Sequence, residues 1–63
     1  MAFEDNVKKK RKERGFTQAE ISEYLGVSQA VVAQYELGVK VPNIKTAVKL
    51  ARLLGTTCEE LVK

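Results

Sequence analysis

The stretch QAEISEYLGVSQAVVAQYE, from Gln18 to Glu36, reads as two short helices joined by a tight turn at Gly26. Its apolar positions are Ile21, Leu25, Val27, Val32 and Tyr35, spaced so that each helix has one face to bury. The second helix raises a question of its own. At about 100° per residue, Val31, Val32 and Tyr35 share one arc, with Ser28 and Glu36 on its flanks. The opposite arc holds Gln29, Ala30, Ala33 and Gln34. A helix face that only has to dissolve normally carries Lys or Glu. Two amides and two methyl groups in that place suit a face made for contact.

Working outward, glycines mark where helices stop. Gly15, Gly26, Gly38 and Gly55 each follow a stretch with helical periodicity, where a left-handed C-terminal residue is wanted. The starts are marked by capping residues. Thr17 with Glu20 and Thr57 with Glu60 read as capping boxes, and Ser28 and Asn43 as N-caps. The pattern predicts five helices, over roughly 3–14, 18–25, 29–37, 44–54 and 58–62, and no strand. The expected core comprises Phe3, Val7, Phe16, Ile21, Leu25, Val31, Val32 and Tyr35 from the first half of the chain. Ile44, Ala47, Val48, Leu50, Ala51, Leu54, Leu61 and Val62 complete it. Lys10 falls on the expected buried stripe of the first helix, where its methylenes can cover the core while the amine reaches water.

Sixty-three residues allow one domain, near the lower limit for folding alone. The net charge of +3 is placed unevenly. Residues 1–15 carry six basic residues (Lys8, Lys9, Lys10, Arg11, Lys12, Arg14) against three acidic ones, and the remainder is neutral. A basic run is either a solvated face or a match for a polyanion such as nucleic acid. No signal peptide or membrane span is read from the sequence, so a soluble intracellular protein is expected.

Catalysis finds no support. The chain has no histidine, and its one cysteine, Cys58, has no base beside it. The same composition argues against the usual zinc sites and an internal disulfide. The acidic neighbours Glu4/Asp5 and Glu59/Glu60 sit at helix starts, where the helix dipole accounts for them. No cofactor, metal or enzyme activity is expected.

With these residues in view, the chain resembles the Cro and phage-repressor (XRE-type) family of helix-turn-helix DNA-binding domains. The segment RGFTQAEIS, the turn LGVS, the ending YELG, and PNIKTAVKLARLLGTT leading to LVK follow that family's succession from about Val7 onward. The resemblance implies an all-α, compact, five-helix, lambda-repressor-like domain over 1–63, its helix-turn-helix formed by the second and third helices. It places the third helix in the major groove of double-stranded DNA, with Gln29, Ala30, Ala33 and Gln34 on base edges. The chemistry fits, because an amide both donates and accepts, and alanine permits close approach within a groove about 12 Å wide.

By the same resemblance, Gln18 contacts a phosphate and braces Gln29, and Ser28 caps the third helix while reaching DNA. Lys40, Asn43 and Lys45 form a phosphate-contacting loop, and Arg11 pairs with Glu36. Some positions depart from the family pattern. Ser22 stands where a small alanine is usual, Lys10 where a leucine is usual, and Val39 intervenes before Lys40. The implied function is that of a transcriptional repressor binding a two-fold symmetric operator as a homodimer, cytoplasmic and nucleoid-associated. The competing reading is a protein-interaction module, antitoxin-type or adaptor, on the same scaffold. Leu37, expected to be exposed, is the residue that favours it.

Overall fold

Thr17, Ser28, Asn43 and Thr57 each start a helix for the same reason. All four have extended backbone, and each side-chain oxygen accepts a hydrogen bond from the backbone N–H three residues on. At Thr17 the box is closed, because the Glu20 carboxylate accepts from the Thr17 N–H at 2.8 Å. The computed structural model describes residues 3–62; Met1, Ala2 and Lys63, the outermost residues of the expected domain, lie outside the described residues. The helices are α1 (Phe3–Arg14), α2 (Gln18–Leu25), α3 (Gln29–Leu37), α4 (Ile44–Leu53) and α5 (Cys58–Leu61), and no strand occurs among the described residues. These bounds match the sequence expectation to within a residue at each end.

Gly26 makes the turn between α2 and α3. Its φ is 73°, a left-handed conformation that costs any other residue about 1–2 kcal/mol. That conformation lets the Gly26 N–H reach the Glu23 carbonyl and the Val27 N–H reach the Ser22 carbonyl at 3.1 Å. The same pair of bonds closes α1, α3 and α4.

Helix α3 packs against both α1 and α2, while α4 packs against α2 and α5, and α5 returns to α1. The core between them is Val7, Ile21, Leu25, Val32, Tyr35, Leu50, Ala51, Leu54 and Leu61. Phe3, Phe16 and Val31 pack on it while partly exposed. Lys10 is half-buried, with its ammonium 3.7 Å from Glu13. Ser22 fills the buried α2 position that the resemblance assigns to alanine. Its hydroxyl donates to the Ala19 carbonyl at 2.7 Å, so the small polar group is satisfied within its own helix. A contact with no sequence signal ties the ends together: the Asn6 amide donates to the Leu61 carbonyl at 2.8 Å.

Three expected core residues are on the surface. Ile44 is 80% exposed, and Val48 and Val62 are also exposed. The reason lies in the angular width of α4. Leu50, Ala51 and Leu54 already define its inward stripe, with Ala47 only half-buried beside them, and Ile44 and Val48 fall roughly 70° and 110° from the centre of that stripe. Val62 lies just past the last turn of α5, where it caps the helix rather than lining its inner face.

One charged side chain is buried among the described residues of these helices. The Glu36 carboxylate, on α3, receives Arg11 from α1 in a two-point bond, Nε to Oε2 at 2.5 Å and Nη2 to Oε1 at 3.1 Å. The pair is largely screened from water, with the two side chains only 14% and 4% exposed. Arg11 also donates to the Phe16 carbonyl at 2.9 Å, and Gln18 donates to Glu36 Oε1 at 3.2 Å. One carboxylate therefore joins α1, the α1–α2 corner, the start of α2 and the end of α3.

Removing this carboxylate leaves a half-buried guanidinium without its counter-charge. Glu36→Ala is expected to cost roughly 3–5 kcal/mol, lowering the melting temperature by more than about 10 °C. A thermal melt checks it; a variant that melts with the wild type would show the pair to be dispensable. The two faces of α4 give a second test. Leu50→Ala is expected to cost about 2–5 kcal/mol, and Ile44→Ala less than about 0.5 kcal/mol, by denaturant titration.

Candidate nucleic-acid interface

Helix α3 is short and has no charged residue in its first or last turn apart from the buried Glu36. It is held at both ends, by the Ser28 cap and by the αL turn at Gly38, and along one side by Val32, Tyr35 and Glu36. Its opposite side is free. Gln29, Ala30 and Gln34 are exposed, and Ala33 is half-buried at the margin of the same arc. Neither glutamine side chain is engaged with another described residue. The arc is therefore a flat, uncharged surface with two amides free to donate and accept.

The residues expected to flank that arc are also at the surface, with donors to spare. The Ser28 oxygen accepts from the Val31 N–H at 3.3 Å, which leaves its O–H available to an outside acceptor. Asn43 uses Oδ1 on the Thr46 N–H at 2.9 Å, leaving its amide N–H groups outward. Lys40 and Lys45 are exposed on either side of Asn43, and neither is ion-paired among the described residues. At the start of α2, Thr17 satisfies the Glu20 N–H, and the N–H groups of Gln18 and Ala19 are the ones a helix leaves open at its N-terminus.

Gln18 differs from expectation in its partner. Its amide is bonded to Glu36, not to Gln29. In this structure Gln18 thus braces the buried ion pair. The physical reason is reach: a carboxylate already fixed by Arg11 offers Gln18 a charged, immobile acceptor, whereas Gln29 stays in solvent. One N–H of the Gln18 amide remains to donate elsewhere.

Sequence reasoning missed a second surface. Leu37, Val39, Val41, Ile44 and Val48 are all exposed, running from the end of α3 through the loop to the outer face of α4. Leu37 was legible because it follows the buried arc of a capped helix. Ile44 and Val48 were not, because an apolar residue beside a core stripe looks like part of it. Among the described residues, no group of three or more His, Cys, Asp or Glu could hold a metal ion, and no helix is long and apolar enough to cross a membrane.

The geometry agrees with what known proteins resemble this chain. The helix-turn-helix family profile matches residues 7–61. The chain is 33% identical over 61 residues to the SPbeta prophage-derived uncharacterized HTH-type transcriptional regulator YonR of Bacillus subtilis (strain 168), covering 97% of this chain and 56% of that protein. It is 33% identical over 60 residues to the cryptic phage CTXphi transcriptional repressor RstR of Vibrio cholerae, covering 95% of this chain and 54% of RstR. The chain thus spans about half the length of these relatives.

Among solved structures, the P22 c2 repressor protein in complex with synthetic operator 9T superimposes with a TM-score of 0.94 at 24% identity, covering 100% of this chain and 96% of that one. The same fold recurs within an enzyme. Hydroxypropylphosphonic acid epoxidase from S. wedmorenis matches with a TM-score of 0.88 at 24% identity, over 97% of this chain but only 32% of its own. Both likenesses concern the fold. With the profile spanning nearly the whole chain and the capped α2–turn–α3 unit in place, this chain belongs to the helix-turn-helix family.

Proposed function

We propose that the chain is the sequence-specific, double-stranded-DNA-binding unit of a transcriptional regulator, acting as a repressor. The observation that carries this is the exposed, uncharged arc of Gln29, Ala30, Ala33 and Gln34 on a helix whose other side is locked into the core. A helix so held can enter the major groove without reorganising, its first turns meeting base edges. Gln29 and Gln34 are suited to the N6 and N7 edge of adenine, and Ala30 and Ala33 to a thymine methyl.

Phosphate contacts fall to groups with free donors around that arc: Gln18 and the open N–H groups at the start of α2, Ser28, Lys40, Asn43 and Lys45. Arg11 and Glu36 have no direct part in binding; they fix the angle at which α3 is presented. The YonR and RstR relatives, named as a transcriptional regulator and a transcriptional repressor, support the reading. So does the repressor–operator complex whose fold this chain shares. A protein of this kind works on the nucleoid, in the cytoplasm, and needs no cofactor or metal. The fold's occurrence in an epoxidase marks the scaffold as reusable, so the arc and its flanking donors, rather than the fold, point to DNA.

Two measurements test it, after selection of bound duplexes from a random pool. Gln29→Ala and Gln34→Ala are each expected to cost roughly 1–3 kcal/mol on the selected site, with unrelated DNA bound as before. Lys40→Ala should weaken good and poor sites alike and flatten the dependence of log K on log salt by about one. If the glutamine variants lose specific and non-specific binding equally, α3 does not read bases, and an interaction module becomes the better reading. Wild-type affinity should also fall steeply with salt, by about 0.9 in slope for each phosphate neutralised. A slope near zero would exclude nucleic acid.

A further inference from the structure

Leu37 is 74% exposed, and it is not among the described hydrophobic residues that form or pack on the core. It opens the run of exposed aliphatic residues that continues through Val39 and Val41, yet its direction is set by α3 and not by the loop. The Val39 N–H reaches the Gln34 carbonyl at 3.1 Å and closes the last turn of the helix around it. A Cβ at Gly38 would fall against the Glu4 side chain, so α1 crowds the tail of α3 as well. Leu37 is thus held in place by structure on both sides of it.

At about 100° per residue, Leu37 falls between Ala30 and Ala33 on the arc opposite Val32. The three make one aliphatic stripe along the middle of that arc, with Gln29 on one flank and Gln34 on the other. The stripe lengthens toward its C-terminal end. Methyl groups in the first turns allow close approach, and leucine in the last turn reaches further. A helix that enters a groove with its first turns leading rises from the floor toward its tail, and a longer side chain there keeps contact. Leu37 stands about 10 Å along the axis from Ala30, or roughly three base-pair steps.

Resting on the DNA-binding reading above, we infer that Leu37 is a further specificity-determining residue, which reads the C5 methyl group of a pyrimidine. The floor of the major groove presents donors and acceptors at every base pair, and its one apolar feature is the thymine methyl. A methylated cytosine offers the same group at the same place. Over a methyl, leucine and base both leave water at a gain. Over the cytosine amino group or the guanine O6, leucine would strip water from a polar atom and return no hydrogen bond. One side chain therefore favours a methyl and disfavours a polar edge. Val39 and Val41 lie past the last helical turn and do not share the arc.

The test uses the 63-residue chain and the half-site selected from a random pool. Each thymine is replaced in turn by deoxyuridine, which removes only the methyl. At one thymine the wild type should lose roughly threefold to tenfold in affinity, while Leu37→Ala binds the two duplexes equally. Leu37→Met, which keeps an apolar side chain of similar reach, should retain the discrimination. Both variants should melt with the wild type, because position 37 is exposed. At the same position the wild type should prefer 5-methylcytosine to cytosine. Tighter binding of thymine than of 5-methylcytosine marks thymine as the base read, and the reverse order marks methylated cytosine. The proposal is overturned if every thymine that is sensitive in the wild type stays equally sensitive in Leu37→Ala. It is equally overturned if Leu37→Ala weakens thymine and uracil duplexes alike, as it would if Leu37 met the sugar–phosphate backbone or another protein. Enrichment of no sequence at all by the wild type would instead bring down the DNA-binding reading, and this inference with it.

Discussion

The Glu36 carboxylate is the group on which the arrangement of the first three helices depends. It sits on the last turn of α3, nearly closed to water, and receives the Arg11 guanidinium in a two-point bond and the Gln18 amide in a third. Arg11 spends a further donor on the Phe16 carbonyl, at the corner between α1 and α2. A buried charge is costly unless it is paired and its remaining lone pairs are used, and here both conditions hold. No buried side-chain nitrogen or oxygen among the described residues is left without a partner. The ion pair gives directional contacts where apolar packing gives none. It thereby fixes how α3 lies against α1 and α2, a constraint that a handful of Val and Leu contacts could meet only approximately.

That constraint explains how α3 can afford the surface it presents. Nine residues of mixed propensity, including the β-branched pair Val31 and Val32, would not hold a helix in isolation. The Ser28 cap, the αL turn at Gly38 and the buried side with Glu36 supply what propensity does not. The outer arc is therefore released from any duty to stabilise the helix. It can carry two glutamines and two alanines in place of the Lys and Glu that would otherwise add helix-supporting pairs. Rigidity on one side and chemical neutrality on the other are two consequences of one network. The proposed role of this surface, meeting base edges in fixed register, would need both.

Helix α4 shows the opposite economy. Its inward stripe is complete with Leu50, Ala51 and Leu54, so Ile44 and Val48 add nothing to the core. With Leu37, Val39 and Val41 they are five of the seven large hydrophobic side chains exposed among the described residues, and in sequence they alternate with the candidate phosphate donors Lys40, Asn43 and Lys45.

Much of this was legible in the order of residues. Caps at Thr17, Ser28, Asn43 and Thr57 and glycines after the first four helices are local signals, decided within four residues of chain, and the helix bounds followed them closely. The neutral arc of α3 was legible because helical periodicity alone separates it from Val32 and Tyr35. The pairing of Arg11 with Glu36 was foreseen through resemblance, since nothing local links residues 25 apart. Tertiary structure alone decided the rest. Gln18 turned to Glu36 rather than to Gln29 because a carboxylate on another helix came within reach. Asn6 found the end of α5 across 55 residues of chain. Ile44 and Val48 went to the surface because hydrophobicity states only that a side chain prefers burial. Whether a neighbouring helix is there to bury it is a property of the packed assembly.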